Sequence, residues 1–378
     1  MDTSDLIIVG SGPVAGVLVA LLAPTRWQIT MISPLPTPPG SRAIALNHSS
    51  RQILQSLGIW DSLAEQAGQI RHIDVSRRGQ LGKTHLSAAD INSAELGWVV
   101  PEEQLMVAIA SNLSTLPNLT QISALPKGIE AQEDSIFLLL DTDTRVKTRL
   151  VIGADGAASP LRELAGLKFH HHDFHSVAIC ASVISFEPHR NRAWERFTNN
   201  GPIALLPLVD PDTYSLVWCV NAGDSDNLMN GSESNFLSQL QNQFGDKAGR
   251  FTAARDRSAY PLIQSVCQQP ATDRLLLIGS AARHLHPVGG QGLNLALRDV
   301  VVLADLIKQA DRQAGDPGSP ALVKQYCDLR SGDWRTTDVF ARRLPGLFAD
   351  RGQPLCLARN LALTALELLP PLRRAFVR

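Results

Sequence analysis

The sequence predicts an α/β protein with a Rossmann-like nucleotide-binding domain, an interleaved strand-rich domain and a helical C-terminal segment. Three observations predict it. The apolar run 6–9 leads into a glycine-rich loop and an apolar helix, and the apolar run 275–278 leads into a second glycine-rich loop and a helix expected over 293–309. Between these, residues 171–264 show few helical periods. Buried strands that alternate with helices are typical of a parallel sheet.

The first glycine loop has the order strand, tight turn, helix over residues 5–16. Gly10 allows the turn, Gly12 lets the backbone approach a pyrophosphate, and Ala15 or Gly16 lets the helix pack closely on the strand. An ordinary glycine turn is the alternative, but the strand before it and the helix after it favour nucleotide binding.

The second strand, expected over 28–33, ends in a serine. Rossmann-type sites usually carry Asp or Glu there, which binds the ribose hydroxyls. The hydroxyl of Ser33 can still form a hydrogen bond with a ribose, but without the assistance of a charge. We therefore expect weaker cofactor retention, not loss of binding.

Two later motifs complete a resemblance to a known family. Residues 153–162 read GADGAASPLR, and residues 279–294 read GSAARHLHPVGGQGLN. With the first glycine loop, they resemble the motifs of FAD-dependent aromatic hydroxylases of the para-hydroxybenzoate hydroxylase superfamily. Several further segments resemble the ubiquinone-biosynthesis hydroxylases within it: 42–46, 50–54, 57–60, 192–197, 201–207, 215–219 and 257–262.

The resemblance implies a flavin monooxygenase. NADH or NADPH would reduce FAD, and the reduced flavin would react with O2 to give a C4a-hydroperoxide. The aromatic ring of a polyprenylated phenol would then attack the distal oxygen. The cofactor carries the difficult chemistry, and the protein positions the ring and excludes water.

The resemblance also implies roles for residues near the phosphates and the ribose. Asp155 and Gly156 would support the pyrophosphate loop, and Arg42 would reach the cofactor phosphates. Arg162 would help to dock the nicotinamide nucleotide, which has no Rossmann domain of its own in this superfamily. Ser280, like Ser33, stands where many members of the superfamily carry a carboxylate.

A second group of residues would surround the flavin ring. After Gly292, the backbone N–H groups of Leu293 and Asn294 would face the N1/O2 edge of the ring, where a helix N-terminus stabilises negative charge. Pro287 would line the face at which oxygen adds. Two glycines would keep side chains out of that space: Gly289 and Gly290.

Composition limits the function classes. The formal net charge is −1 and the sequence pI is about 6.8, so there is no global electrostatic case for nucleic acid. No window of about 18 apolar residues predicts a transmembrane helix, and we expect no secretory signal. The five cysteines include no CxxC pair, which fits a reducing compartment. We expect a cytoplasmic protein.

The motifs predict discontinuous domains. Residues 1–70, 98–170 and 265–330 are expected to form the FAD-binding domain, and residues 71–97 and 171–264 the substrate domain. Residues 331–378 are expected to form a C-terminal helical segment. The chain thus crosses between the domains several times, and substrate sites often lie at such interfaces.

The end of the chain is basic. Residues 340–378 contain seven arginines and two acidic residues, with an apolar stretch between basic ends. One interpretation is a helix packed on the core with solvated arginines. The other is peripheral contact of 353–378 with the inner face of a membrane, or with a partner protein of the ubiquinone pathway.

No metal site and no general base are predicted. Three consecutive histidines, 170–172, and His175 lack the ligand spacing of a zinc site, and they are interpreted as surface or interdomain residues. His284 and His286 are expected to brace the second glycine loop. Trp194, Trp218 and Tyr260 are expected to pack between sheets in preference to contacting substrate.

Two other functions remain open. One is the same flavin chemistry on a small soluble phenol, which a closed small pocket would favour. The other is a non-catalytic scaffold subunit of a quinone-biosynthesis complex, which Ser33 and Ser280 motivate. The intact glycine loops and Asp155 argue against a scaffold, because a scaffold does not need them.

Overall fold

A computed structural model describes residues 2–34, 42–80, 83–287 and 290–349, in a mixed α/β fold. The α-helices of these residues are α1 (Pro13–Leu22), α2 (His48–Ser56), α3 (Glu102–Leu113), α4 (Pro160–Leu164), α5 (Ala222–Asn230), α6 (Glu233–Phe244), α7 (Gln291–Arg312) and α8 (Pro320–Ala349).

The strands fall into four sheets. In chain order they are β1 (Asp2–Thr3), β2 (Leu6–Val9), β3 (Ile29–Ser33), β4 (Ala43–Leu46), β5 (Gly68–Ile70), β6 (His72–Arg77), β7 (Lys83–Ser87), β8 (Gly97–Pro101), β9 (Leu119–Ser123), β10 (Pro126–Ala131), β11 (Ile136–Leu140), β12 (Arg145–Thr148), β13 (Leu150–Gly153), β14 (Phe169–Ser185), β15 (Arg192–Thr198), β16 (Gly201–Pro207), β17 (Thr213–Asn221), β18 (Phe251–Cys267), β19 (Ala271–Thr272), β20 (Leu275–Leu277) and β21 (Arg283–His284).

The six-stranded sheet brings the sequence motifs together. Its order is β19-β20-β13-β2-β3-β9, and all neighbours are parallel except β19 and β20. Strands β2, β13 and β20 are fully buried, as expected for a parallel sheet covered on both faces. Because parallel strands end at one edge, the segments after β2, β13 and β20 meet there, which is where nucleotides bind in such sheets.

The eight-stranded sheet has two different faces. Its order is β21-β18-β14-β17-β16-β15-β6-β7. On one face, apolar side chains pack against α5 and α6, with Phe236, Leu240 and Phe244 fully buried in the cluster. The opposite face is turned toward a cavity. The alternation of side chains along each strand therefore separates a core face from a site face.

The helices differ in detail from the sequence prediction. The helix expected over 293–309 is longer, Gln291–Arg312, and the strand-rich stretch 171–264 contains helix α6, Glu233–Phe244. Helix α5 was not predicted. Its sequence AGDSDNLMN is rich in weak helix formers and has only Leu228 buried, so it carries no hydrophobic period.

A buried ion pair joins the last two helices. Arg330 of α8 lies 2.6 Å from Asp299 of α7, and the indole N–H of Trp334 donates to the same carboxylate at 3.1 Å. Residues beyond 349, including 353–378, lie outside the described residues. Among the helices that are described, none combines the length and the apolar character needed to cross a bilayer.

Replacing Asp299 with alanine is expected to lower the free energy of unfolding by about 3 kcal/mol, because Arg330 would stay buried without its main counter-charge. Urea unfolding measures the change. The matched control is Asp328→Ala, which removes the exposed pair with Lys324 and should have a much smaller effect. Equal effects of the two substitutions would contradict this account.

Candidate functional site

One cavity of about 480 Å³ lies between the motif loops and the eight-stranded sheet. Pro13 and Val14 of α1, Ser280 and the start of α7 line one side, and the site face of the sheet lines the other. The two glycine loops, far apart in the sequence, therefore contribute to a single site. The two loops approach each other closely at Gly279, where a Cβ would lie 3.1 Å from the Val14 side chain.

The first glycine loop is tightly constrained at one position and open at the next. Gly10 has φ +116°, and a Cβ there would lie 2.3 Å from the carbonyl oxygen of Ala154. Gly12 begins α1 and has no atom within 4 Å of its Cβ position. Gly10 thus permits the turn, while Gly12 leaves bare backbone open to a ligand.

The next two residues pack the start of α1. Ala15 is fully buried. A Cβ on Gly16 would lie 2.2 Å from the side chain of Ile109 in α3. The small residue at Gly16 therefore permits close contact between two helices, whereas the sequence suggested contact of helix with strand.

The loop after β13 holds a carboxylate beside the Gly10 turn. Oδ2 of Asp155 accepts a hydrogen bond from the backbone N–H of Leu161, and Oδ1 is buried without a hydrogen-bond partner among the described residues. Burial raises the pKa of Asp155, against the lowering effect of its hydrogen bonds. Gly156 follows with φ +86° and open space at its Cβ position. This loop has unused acceptor capacity.

Arg162 bridges two of the loops. It is 3% exposed, and its guanidinium donates to the carbonyl oxygens of Ala281 and Ala157 at 2.9 and 2.8 Å. The same group stacks over the ring of Phe169. These contacts fix the loop after β13 against the turn after β20. Docking of a nicotinamide nucleotide by Arg162 stays a prediction.

Helix α7 presents a second open N-terminus to the cavity. Gly290 is its N-cap in the left-handed region with φ +59°, and no described side chain caps the helix. Gly292 and Leu293 line the cavity, and a helix start leaves N–H groups without intrahelical acceptors. Pro287 lines the same region and is exposed, whereas Gly289 lies outside the described residues.

Asn294 fixes the start of α7 with its side chain. Its Nδ2 donates to the carbonyl oxygens of Ala45 and Gly290, and its Oδ1 accepts from the backbone of Asn47 and the hydroxyl of Ser50. The side chain is therefore fully engaged. The sequence assigned a role to the backbone of Asn294 but missed this bracing network.

Arg42 is at the cavity in an ion pair. Its guanidinium forms two hydrogen bonds of 2.9 Å with Glu102 and stacks over the ring of Tyr260. All three residues line the cavity. The sequence did not predict Glu102 as a partner. Contact of Arg42 with phosphates stays a prediction.

The two serines lie at different depths. Ser33 ends β3 and is half-buried, and its backbone carbonyl accepts from Ala124. Ser280 is exposed and lines the cavity, in a short turn after β20. Both hydroxyls lie at the carboxyl edge of the parallel sheet, where a ribose or ribityl hydroxyl can meet them.

The site face of the sheet is almost entirely apolar, with one carboxylate. Glu195 of β15 lies opposite Ala204 of β16. On the next two strands, Val217 of β17 lies opposite Ala204, and Cys180 of β14 lies opposite Val217. All four line the cavity. Within the described residues, Glu195 has neither a hydrogen-bond partner nor an ion-pair partner, and burial raises its pKa to about 7. Small neighbours leave space beside this carboxylate.

Sequence reasoning missed Glu195. It belongs to a segment that was singled out for family resemblance alone, and nothing in RAWERF shows which side chain faces a cavity. His284 and His286 were noted, and both line the cavity. Burial lowers the pKa of His284 and lowers that of His286 to about 4. Both rings are therefore neutral near pH 7.

The aromatic residues noted in the sequence separate into two environments. Trp218 packs edge-on against Phe236, and Trp194 against Phe244, both on helix α6. Trp194 also borders the cavity, and Tyr260 lines it beneath Arg42. The histidines at 170–172 are exposed along β14. No group of three potential metal ligands occurs among the residues that the structure describes.

These features fit FAD. The open helix N-termini and the bare backbone at Gly12 can meet a pyrophosphate. Asp155 adds a buried oxygen that has no hydrogen-bond partner among the described residues. A long cofactor can reach both helix starts because they border one cavity. The serines supply neutral hydrogen-bonding groups at the same edge.

Known proteins resemble this chain over nearly its whole length. The model of the FAD binding domain family matches residues 3–331. The chain is 32% identical to the ubiquinone hydroxylase UbiL of Rhodospirillum rubrum, over 99% of this chain and 89% of that protein. It is 29% identical to the 3-demethoxyubiquinol 3-hydroxylase of Escherichia coli, over 98% and 96%.

A solved structure shares the fold. The p-nitrophenol 4-monooxygenase PnpA of Pseudomonas putida superposes with a TM-score of 0.84 at 17% sequence identity. The match covers 100% of this chain and 97% of that protein. The α/β fold class expected from the sequence is confirmed.

Substitutions at the first glycine loop should separate folding from cofactor binding. Gly10→Ala is expected to lower the free energy of unfolding by at least about 2 kcal/mol, because its Cβ would overlap the Ala154 carbonyl. Gly12→Ala should leave unfolding unchanged and weaken FAD binding about tenfold, since a methyl group would stand where the backbone meets a pyrophosphate. Urea unfolding and FAD titration measure the two effects. A stable Gly10→Ala protein would refute the assignment.

Glu195 should make stability depend on pH. Its pKa is raised in the fold, so its contribution to stability is fully present below about pH 4.5 and is lost as pH rises through about 7. Glu195→Gln should therefore stabilise the protein above pH 7, by at most about 3 kcal/mol. Urea unfolding at pH 5 and pH 8.5 measures this. The exposed control Glu65→Gln should not change the stability in this pH-dependent way. If Glu195→Gln also has the same stability as wild type at both pH values, Glu195 is solvated and the account is wrong.

Proposed function

Because the chain belongs to the FAD binding domain family and is an FAD-dependent aromatic-ring monooxygenase, we propose that it hydroxylates a polyprenylated phenol in ubiquinone biosynthesis. NAD(P)H would be the reductant and O2 the oxidant. Support for the substrate class comes from relatives named as ubiquinone hydroxylases, which match nearly the whole chain.

The observation that carries the proposal is the lining of the cavity between the motif loops and the eight-stranded sheet. One end is bordered by the two open helix N-termini, and the site face of the sheet adds apolar surface as far as Ile70 and Ile73. An aromatic ring with an apolar tail matches this lining. A small, freely soluble phenol would leave the apolar part of the cavity uncovered.

The cofactor would be held by the motif loops. Gly12 would contact its pyrophosphate, and Gly10 and Asp155 would shape and support the loops around it. Ser33 and Ser280 would contact its hydroxyls. When bound, FAD supplies electrons from NAD(P)H to O2 and so makes insertion of one oxygen atom possible. With serines in place of carboxylates, we expect FAD to dissociate more readily than from family members that carry acids.

The protein itself positions the substrate, stabilises developing charge and excludes water from the site. The open start of α7 at Leu293 provides positive partial charge, which stabilises negative charge that develops nearby. Pro287 and Gly290 would border the space where oxygen reacts. The apolar site face excludes water, so that the reactive oxygen meets the ring and not solvent.

A prenylated substrate implies contact with a membrane or a carrier. We propose a cytoplasmic protein that works at the inner membrane face, through the basic segment 353–378, together with other proteins of the ubiquinone pathway. The charge excess in that segment supports this proposal. Arg162 stays the candidate for nicotinamide docking.

The test is the visible spectrum of purified protein with added FAD, followed by NAD(P)H oxidation in air with a prenylated methoxyphenol. The expected results are flavin absorption bands and formation of the hydroxylated product. A methoxyphenol without the prenyl chain should react less efficiently.

Two results would contradict the proposal. A preference for the ring without its chain would favour a small soluble phenol as substrate. A colourless protein that takes up no FAD would favour the scaffold function, which the replacement of two carboxylates by Ser33 and Ser280 motivates.

A further inference from the structure

Among the described residues, Glu195 forms no hydrogen bond or ion pair that would give it a structural role. Its neighbours across the sheet are Ala204 on β16 and Val75 on β6, neither of which can pair with a carboxylate. Glu195 is half-buried, and a carboxylate in apolar surroundings is unfavourable unless it finds a partner. A carboxylate that is left unpaired and faces a cavity instead meets whatever enters the cavity.

The space beside Glu195 fits an aromatic ring. The row that runs from Glu195 through Ala204 and Val217 to Cys180 consists of small or flat side chains on one face. It spans three strand spacings, about 14 Å. A phenol ring can lie on this row with its hydroxyl group toward the carboxylate.

We propose that Glu195 is the catalytic base that accepts the proton of the substrate's phenol hydroxyl during hydroxylation. The O–H bond of the phenol breaks and its proton passes to the carboxylate of Glu195. The electron pair left on the phenol oxygen is delocalised into the ring, and a ring carbon forms a bond to one oxygen atom derived from O2 as the O–O bond breaks. The second oxygen atom leaves as water, with the two electrons supplied by NAD(P)H through FAD, and the ring carbon loses its proton as aromaticity returns. This inference rests on the proposed function, which supplies O2 and the reductant.

The other polar groups that the structure describes at the cavity are less suited to accept this proton. Arg42 and Glu102 form an ion pair with each other beside Tyr260. Burial raises the pKa of the Cys219 thiol and raises that of Cys180 to about 11.

The two histidines, His284 and His286, have lowered pKa values. Glu195 lines the same cavity, and its pKa of about 7 places its titration near neutral pH. A base with a pKa near the working pH is the most effective proton acceptor.

Binding provides a test that does not require turnover. A short-chain prenylated methoxyphenol and its O-methyl ether are titrated into the FAD-loaded protein by calorimetry. Wild type should bind the phenol at least about tenfold more tightly than the ether at pH 8, since a charged acceptor strengthens the hydrogen bond. The preference should shrink below pH 6 and fall to a few-fold in Glu195→Gln.

Turnover provides the second readout. In wild type, kcat/KM for product formation should rise with pH through about 7. Glu195→Gln should lose this limb and form product about a hundredfold more slowly, while NAD(P)H oxidation continues and releases hydrogen peroxide. Glu195→Asp should restore part of the limb, and the exposed control Glu65→Gln should behave as wild type.

The outcomes separate the two claims. If Glu195→Gln retains both the preference for phenol over ether and the pH limb, Glu195 is not the base. If wild type prefers the phenol in a Glu195-dependent manner but forms no hydroxylated product, the proton acceptor is supported and the proposed reaction is wrong. If wild type shows no preference for the phenol, the inference is overturned whatever the enzyme hydroxylates.

Discussion

The site depends on the contact between the Gly10 turn and the backbone of Ala154. No side chain fits between them, because a Cβ at Gly10 would lie 2.3 Å from the Ala154 carbonyl oxygen. This contact sets the first glycine loop against the loop after β13. Arg162 then ties that loop to the turn after β20, and Asn294 fixes the start of α7. Four segments of the chain thereby meet at one site.

The opposite wall of the cavity offers few polar partners to a charged group. The site face of the sheet has small and apolar side chains, so a single unpaired carboxylate is energetically expensive there. Glu195 has no ion-pair partner among the described residues, whereas the buried charges of Asp299 and Arg330 neutralise each other. Conflicts between stability and local chemistry of this kind are common at functional sites.

The sequence predicted the parts of the site that local chemistry determines. Gly10 and Gly12 could be recognised because a tight turn and a helix start need glycine at fixed positions, and the strands around them follow from apolar runs. Gly290 was assigned to the space beside the flavin, and its place as the N-cap of α7 was not predicted. The partners of Arg42 and Asn294 could not be predicted, because Glu102, Ala45 and Ser50 approach only through tertiary folding. Glu195 was missed because strand alternation gives two faces but not which one borders a cavity.

The central claim is that both open helix N-termini and the site face of the sheet serve one flavin site. A crystal structure of the protein with FAD and a phenol ligand tests it most directly. The account predicts one FAD per chain that extends from the start of α1 to the start of α7, with the phenol hydroxyl directed at Glu195. An FAD bound elsewhere, or a ligand on the site face that leaves Glu195 uncontacted, would contradict it.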